Sequence, residues 1–401
     1  MAKQAMKKKT FTRTGISAIK ESLGLNIKTD EDRVKSSADK ELEWIILPNA
    51  YERAVKLPGV PMGYLTVLAG WSNTGKSTIK NCIIASCQRQ GILPVIFETE
   101  NNFDFKYAID CGMQAEPVIG KIERENIDEE TGEITVEESE GIIDYTGNFL
   151  YYDSKILANQ YGKWDYSQGK EVSKKRKEAV LEDIAHAMSD ILDKQDEGII
   201  QQPICFIWDS IGSIGSYKSY KSSVGNNMFD AGAISSAFNI MINNRIPSSR
   251  KISEKYTNTF VAVNKVWNDS ANSMGGIPSI EYKGGKTFYY GARLIIHLGG
   301  VAKAATKKLK ATAKGESYNY GIITKIGITK NQLPTPYNIT YEGTMACVHS
   351  GIISEEDLDE YKKNSGKIIL EQLCTNIKNN GEDIEISEDD IKYTEEDNIG
   401  E

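Results

Sequence analysis

The stretch Tyr64–Thr78, "YLTVLAGWSNTGKST", decides how the chain is read. It opens as a buried strand and runs into glycine at Gly70. Four residues follow, Trp71, Ser72, Asn73 and Thr74, before Gly75, Lys76, Ser77 and Thr78. Gly70, Gly75, Lys76 and Ser77 fill the pattern G-x-x-x-x-G-K-[ST], with the expected strand before it and a segment of helical period, Ser77–Gln90, after it. Glycines let backbone N–H groups close around a β-phosphate, and the helix N-terminus adds its dipole. Lys76 neutralises β and γ oxygens, and the Ser77 hydroxyl ligates magnesium. A nucleoside triphosphate with Mg2+ is the expected ligand.

Two further apolar runs end in acid. "ICFIWDS" closes on Asp209, placed to hold the magnesium through water. "VIFETE" closes on Glu98 and Glu100, which a continued strand would present on one face at the carboxyl edge of its sheet, where α/β proteins bind ligands. There Glu100 can orient or deprotonate the attacking water, and Glu98 supports the strand end or the metal environment.

Outward from these motifs, strand-like runs at Tyr64–Ala69, Pro94–Phe97, Asn148–Tyr152, Ile204–Trp208, Thr259–Val263, Ala292–His297 and Gly321–Ile328 are separated in part by helical segments Ser77–Gln90, Lys175–Asp193 and Phe229–Asn244. Such alternation predicts an α/β fold with a mostly parallel central sheet flanked by helices. Two segments break the rhythm: Glu123–Asp144 reads as an inserted acidic hairpin, and Lys155–Lys177 is aromatic and then basic.

With 401 residues and 40% hydrophobic content, the chain can bury a sizeable core. A net charge of -8 argues against coating nucleic acid through overall charge, but the charge is unevenly spread. Met1–Lys20 carries six Lys or Arg and no acid, whereas Gly381–Glu401 is acid-rich with Lys392 its one base. Six cysteines form no CxxC pair, which points to reduced thiols in a cytoplasmic setting. No uninterrupted apolar run is long enough for a membrane span, so no membrane is expected among the partners.

Six ordered segments resemble the RecA recombinase family, including phage recombinases of the UvsX type: "GVPMG" (Gly59–Gly63), "GWSNTGKST", "ETENNFDFKYA" (Glu98–Ala108), "FIWDS" (Phe206–Ser210), "FVAVNK" (Phe260–Lys265) and "EYKGGKTFYYGARL" (Glu281–Leu294). The likeness spans Leu47–Glu342. It implies a RecA-like P-loop ATPase core over residues 47–342, a basic oligomerisation arm at 1–46, a small helical segment at 343–380 and a disordered acidic tail at 381–401. It also implies ATP as the nucleotide and a homo-oligomeric helical filament that binds single- and double-stranded DNA.

Position by position, the resemblance makes Glu100 the catalytic glutamate and makes Asp104 and Tyr107 adenine contacts. Asp209 and Ser210 form the magnesium-side strand end. Asn264 begins the element that senses the γ-phosphate; the next position, Gln in bacterial members, is Lys265. Lys330 in "ITKNQLPTP" matches one of two lysines that a neighbouring protomer contributes to the ATP site, and Gln332 stands at the second. DNA is expected on two loops, Gly215–Phe229 with Lys218, Lys221 and Met228, and Lys265–Gly285 with Trp267, Lys283, Gly284 and Gly285.

The leading expectation is therefore a DNA-dependent ATPase that promotes homologous pairing and strand exchange in recombination and repair. Two others stay open: a ring-forming helicase or translocase with the same core, and an ATP-switched single-strand binding or annealing protein.

Overall fold

The computed structural model describes residues 38–127, 134–222, 227–268, 280–282, 285–300, 306–379 and 387–398. Six parallel strands form its centre: β1 (Leu65–Gly70), β2 (Leu93–Glu98), β3 (Leu150–Asp153), β4 (Ile204–Asp209), β5 (Thr259–Asn268) and β6 (Leu294–Leu298), in the spatial order β6-β1-β5-β4-β2-β3. Side chains alternate along each strand, so each feeds two cores. Leu65, Val67, Phe97, Phe206, Trp208 and Phe260 point to one layer, and Leu68, Ile96, Ile207, Val261 and Ile296 to the other. Burial on both faces is why these strands read as unbroken apolar runs.

Beyond β6 the sheet departs from the mostly parallel expectation. Strands β7 (Thr306–Ala313), β8 (Glu316–Asn331), β9 (Glu342–Val348) and β10 (Gly351–Ile353) are joined to it antiparallel, giving a mixed sheet flanked by helices. Short loops such as Lys314-Gly315, both with positive φ, permit hairpins here where a parallel return would require a crossover. The segment read as small and helical after residue 342 thus begins with two strands, and helix Leu358–Asn379 then packs on the β7–β8 ribbon through Leu358, Tyr361, Ile369 and Leu373.

The acidic tail is also different from its expectation. Lys392–Asn398, strand β11, pairs with β7 from Thr306 to Thr312. Complementary charge makes this edge attractive: Glu395 pairs with Lys307 at 3.3 Å, and Glu396 pairs with Lys310. The acidic hairpin comprises antiparallel strands Glu116–Ile127 and Ile134–Thr146. The aromatic-to-basic segment contains helix Ser154–Tyr161 and a two-residue ladder, Trp164–Asp165 with Lys170–Glu171.

Candidate nucleotide and nucleic-acid site

β1 ends at Gly70, and helix α1 (Lys76–Arg89) starts directly after Gly75. The turn between them requires left-handed backbone at Asn73 (φ 58°) and Gly75 (φ 91°). A Cβ on Gly75 would come within 2.5 Å of the Cys347 sulfur, so glycine is needed for space as well. Thr74 Oγ1 donates to the Trp71 carbonyl at 2.8 Å, and the Trp71 indole donates to the Gly300 carbonyl at 2.8 Å. Lys76 is 7% exposed and its ammonium donates to the carbonyls of Gly70, at 3.0 Å, and Trp71. Burial pulls its pKa down to about 8; Lys265 pushes the same way, while Asp209 and Glu100 oppose the shift. The hydrogen bonds of this buried cation go to backbone carbonyls.

α1 carries a second lysine one turn on. Lys80 Nζ lies 2.6 Å from Asp209 Oδ2, with both side chains buried, and 4.8 Å from the Phe103 ring centroid. Asp209 ends β4, and β5 lies between that strand and β1, so the two motifs are not adjacent in the sheet. Lys80 on the helix bridges the gap. Ser77, at the first turn of α1, is exposed beside the loop.

The β2 end answers differently from the expected shared face. The strand stops at Glu98, which is fully buried and accepts from the backbone N–H groups of Glu100 (2.7 Å) and Asn102 (3.0 Å). Burial raises its pKa despite those two donors and Lys80. Glu98 therefore builds the corner, and Glu100 is aimed by it. Glu100 accepts from the Ser210 hydroxyl, from Lys265 Nζ at 2.7 Å and from Asn102 Nδ2 at 3.2 Å. Burial pushes this carboxyl up, but Lys265 and Ser210 outweigh it and hold the pKa below the ordinary value. Asn264 and Lys265 face Ala69 and Gly70 across the ladder, so the end of β5 abuts the Gly70–Gly75 loop.

A cleft of about 610 Å³ opens beside the loop, lined by Asn73–Thr78, Tyr107 and one face of the β8–β9 wall. The Tyr107 hydroxyl is 2.6 Å from Thr78 Oγ1, and burial raises its pKa. Asp104 is a helix cap: its Oδ1 accepts from the Tyr107 N–H at 3.0 Å, leaving Oδ2 uncommitted to that bond. The wall adds residues that sequence reading missed: Lys308, Tyr318, Asn319, Tyr320 and His349. The alternation in "SYNY" was the available signal, since period two puts Tyr318 and Tyr320 on one face; a bulge between Asn319 and Gly321 then turns Ile322 to the other layer.

Lys330 lies elsewhere. It pairs with Ile295, and its ammonium donates to the carbonyls of Tyr289 (2.6 Å) and Tyr290 (3.0 Å), on the amino-terminal side of β6. Burial lowers its pKa, and Arg293 adds to the effect. Gln332, at the position of the second expected lysine, accepts from Arg293 Nη1 at 3.3 Å. Arg293 is thus a second cation beside Lys330, unforeseen from spacing alone.

Of the two expected DNA loops, the first is largely helical. Tyr217–Ser222 is a helix carrying Lys218 and Lys221, and Met228 lies in helix Asn227–Ile240. Lys221 is ion-paired with Asp165 at 3.0 Å. In the second, Trp267 belongs to β5 and Gly285 opens helix Gly285–Gly291, while Lys283 and Gly284 lie outside the described residues.

No family model matches the chain. It is similar to the curated "Protein RecA" of Campylobacter lari, 35% identical over 82 residues, which is 20% of this chain and 24% of that protein. It is also similar to "Protein RecA" of Herpetosiphon aurantiacus, 30% identical over 70 residues, 18% of this chain and 20% of that protein. The matches span about a quarter or less of these relatives' length. Among the described residues no helix is long and apolar enough to cross a membrane.

Proposed function

We propose that the protein is a DNA-dependent ATP hydrolase that assembles as a helical filament on single-stranded DNA and pairs that strand with a homologous duplex. Residues 47–342 form the ATPase core in this reading. The observation that carries it is the convergence on buried Lys76 of two systems: Glu100 gripped by Lys265 and Ser210, and Asp209 gripped by Lys80. The partial likeness to two RecA proteins supports the same direction.

The chemistry follows from what each group is doing. A triphosphate takes the place of the Gly70 and Trp71 carbonyls as partner of Lys76, and loop N–H groups meet the β-phosphate. Magnesium suits the oxygen donors of Ser77 and, through water, Asp209; when bound it spreads the charge of the β and γ oxygens. Glu100 is anionic at neutral pH and is the base that orients the attacking water. Lys265 is its counter-ion, so a γ-phosphate next to the loop competes for that ammonium and loosens Glu100. Because Lys265 sits on β5, the same transfer signals nucleotide state toward residues 265–285. Tyr107, Tyr318 and Tyr320 offer aromatic surface for the base. Lys330 and Arg293 complete the cation set from a neighbouring copy.

The Glu100–Lys265 pair also favours a second reading, an ATP-switched annealing protein whose base stays neutralised and turns over slowly. Phosphate release with and without single-stranded DNA tests both. Stimulation of at least about tenfold supports the hydrolase, and strand exchange between a circular single strand and a linear duplex tests the recombinase; ATP binding without DNA-stimulated turnover would leave the switch.

A further inference from the structure

The segment between β3 and helix Leu181–Asp196 has no part in the nucleotide chemistry, yet it is fastened to the helix that carries Lys218 and Lys221. Its basic run, "SKKRK" at Ser173–Lys177, does not behave as a uniform charged loop. Arg176 alone turns inward. Its guanidinium grips Asp183 with two bonds, Nη2 to Oδ1 at 2.7 Å and Nη1 to Oδ2 at 3.0 Å, and also donates to the carbonyls of Tyr161 and Glu178. It stands 5.4 Å from the Tyr217 ring. Lys221 approaches the same ring at 4.8 Å and reaches back to Asp165 and Ser167.

One buried anchor leaves three displayed cations. Lys174, Lys175 and Lys177 are exposed, and among the described residues none of them forms an ion pair; Lys175 only bonds the Asn159 amide oxygen at 3.0 Å. Lys163 and Lys170 are exposed on the same segment. Asp165 and Asp183 are already neutralised by Lys221 and Arg176, so Glu171 and Glu178 are the exposed acids between 163 and 178. The surface next to helix Tyr217–Ser222 is therefore cationic and extended.

We propose that Lys174, Lys175 and Lys177 form an accessory track for the phosphate backbone of single-stranded DNA, continuous with helix Tyr217–Ser222 and held in register by the buried Arg176–Asp183 pair. The inference rests on the DNA-binding reading above. Lysines on a track of this kind meet phosphates without reading bases, so they set affinity and salt dependence and leave sequence preference untouched.

Fluorescence anisotropy of a labelled oligothymidylate, titrated across about 50–200 mM salt with a non-hydrolysable ATP analogue, tests it. Wild type is compared with a triple Lys→Gln variant at 174, 175 and 177 and with the triple Lys→Arg variant. Losing three contacts at about 0.7 each lowers the slope of log K against log salt by about 2 in the Gln variant, and affinity drops at least about tenfold at the low-salt end. The Arg variant keeps the wild-type slope, and both keep nucleotide binding. Wild-type binding with an unchanged slope in the Gln variant overturns this inference and leaves the hydrolase reading standing. A fall shared by the Arg variant overturns it too, since charge would not be the cause. Absence of wild-type binding overturns both.

Discussion

The two ends of strand β6 hold cations under different physics. At its carboxyl end Leu298 lies beside Gly70, and Lys76 there is buried, carbonyl-bound and drawn down to about pKa 8. At its other end Ile295 lies beside Lys330, which is half-buried, with exposed Arg293 next to it. The strand is only five residues long, but the two lysines face away from each other along it, toward Gly70 and toward Tyr289. In the proposed reading the two lysines of one chain serve different triphosphates. A second copy brings its Lys330 to the first copy's Lys76 if the copies stack head to tail, which is the heterologous contact that generates a helix.

The strongest way to break that comparison is to separate the ends genetically. Lys76→Ala and Lys330→Ala should each lower DNA-stimulated ATP hydrolysis by at least about 100-fold, the size expected when a charge clamp on the transferred group is removed. Lys330→Ala should still bind ATP; Lys76→Ala should not. Mixed in equal amounts, the two variants should regain up to about a quarter of wild-type activity, because random stacking pairs an intact loop with an intact Lys330 that often. A mixture that stays inactive, with both variants folded and oligomeric, would remove Lys330 from the site.

Next in size is the carboxylate at the loop end. Lys265→Gln removes the counter-ion 2.7 Å from Glu100 and should reduce turnover by about 10- to 100-fold if the transfer of that ammonium to the γ-phosphate is used. A pH profile distinguishes this from simple damage. Glu100 is held below its ordinary pKa, so its anion persists well into acid; without Lys265 the carboxyl protonates sooner, and the acid limb moves to higher pH. An unmoved limb would mean that Lys265 does not govern the base.

What could be read beforehand follows the range over which each feature is encoded. The phosphate loop is local: nine consecutive residues, Gly70–Thr78, specify turn, charge and helix start. The paired layers were legible because strands buried on both faces leave unbroken apolar runs. The Glu100–Lys265 contact joins residues 165 apart, and only the placement of β4 between β2 and β5 brings them together. Asp104 has a side chain suited equally to a ligand and to a helix cap, and its Oδ1 caps helix Phe105–Asp110. The mixed half of the sheet was obscured because its ribbon, "ATKKLKATAK", is basic and half-exposed and so resembles a surface run.

Burial of Lys76 makes a smaller but directional prediction. The folded, ligand-free protein favours the neutral amine, so the group's destabilising effect is full below about pH 8 and is relieved as pH rises from there toward the unfolded value near 10.5. Nucleotide binding works the other way, because the triphosphate requires the ammonium. Affinity should therefore fall above about pH 8, approaching about tenfold per pH unit, with uptake of close to one proton seen by calorimetry in buffers of different ionisation enthalpy. Affinity independent of pH between 7 and 9.5 would mean that the ammonium is not the phosphate's partner.

The smallest effects belong to the far wall of the cleft, where charge and packing can be told apart. Glu395 and Glu396 are about half exposed, and so is Lys307, so their ion pairs contribute no more than about 1 kcal/mol each. Replacing both acids by Gln should shift unfolding only slightly, and the shift should vanish in 0.5 M salt. Tyr393 on the same strand meets Tyr320 edge-on at 5.6 Å, and Tyr320 lines the cleft beside Asn73–Thr78. Tyr393→Ala should therefore weaken nucleotide binding about two- to fivefold, consistent with losing an aromatic pair worth about 0.5–1.5 kcal/mol, whereas the double Gln variant should leave it unchanged. The reverse ranking would show that strand Lys392–Asn398 shapes the cleft through its charges and not through the ring that supports its wall.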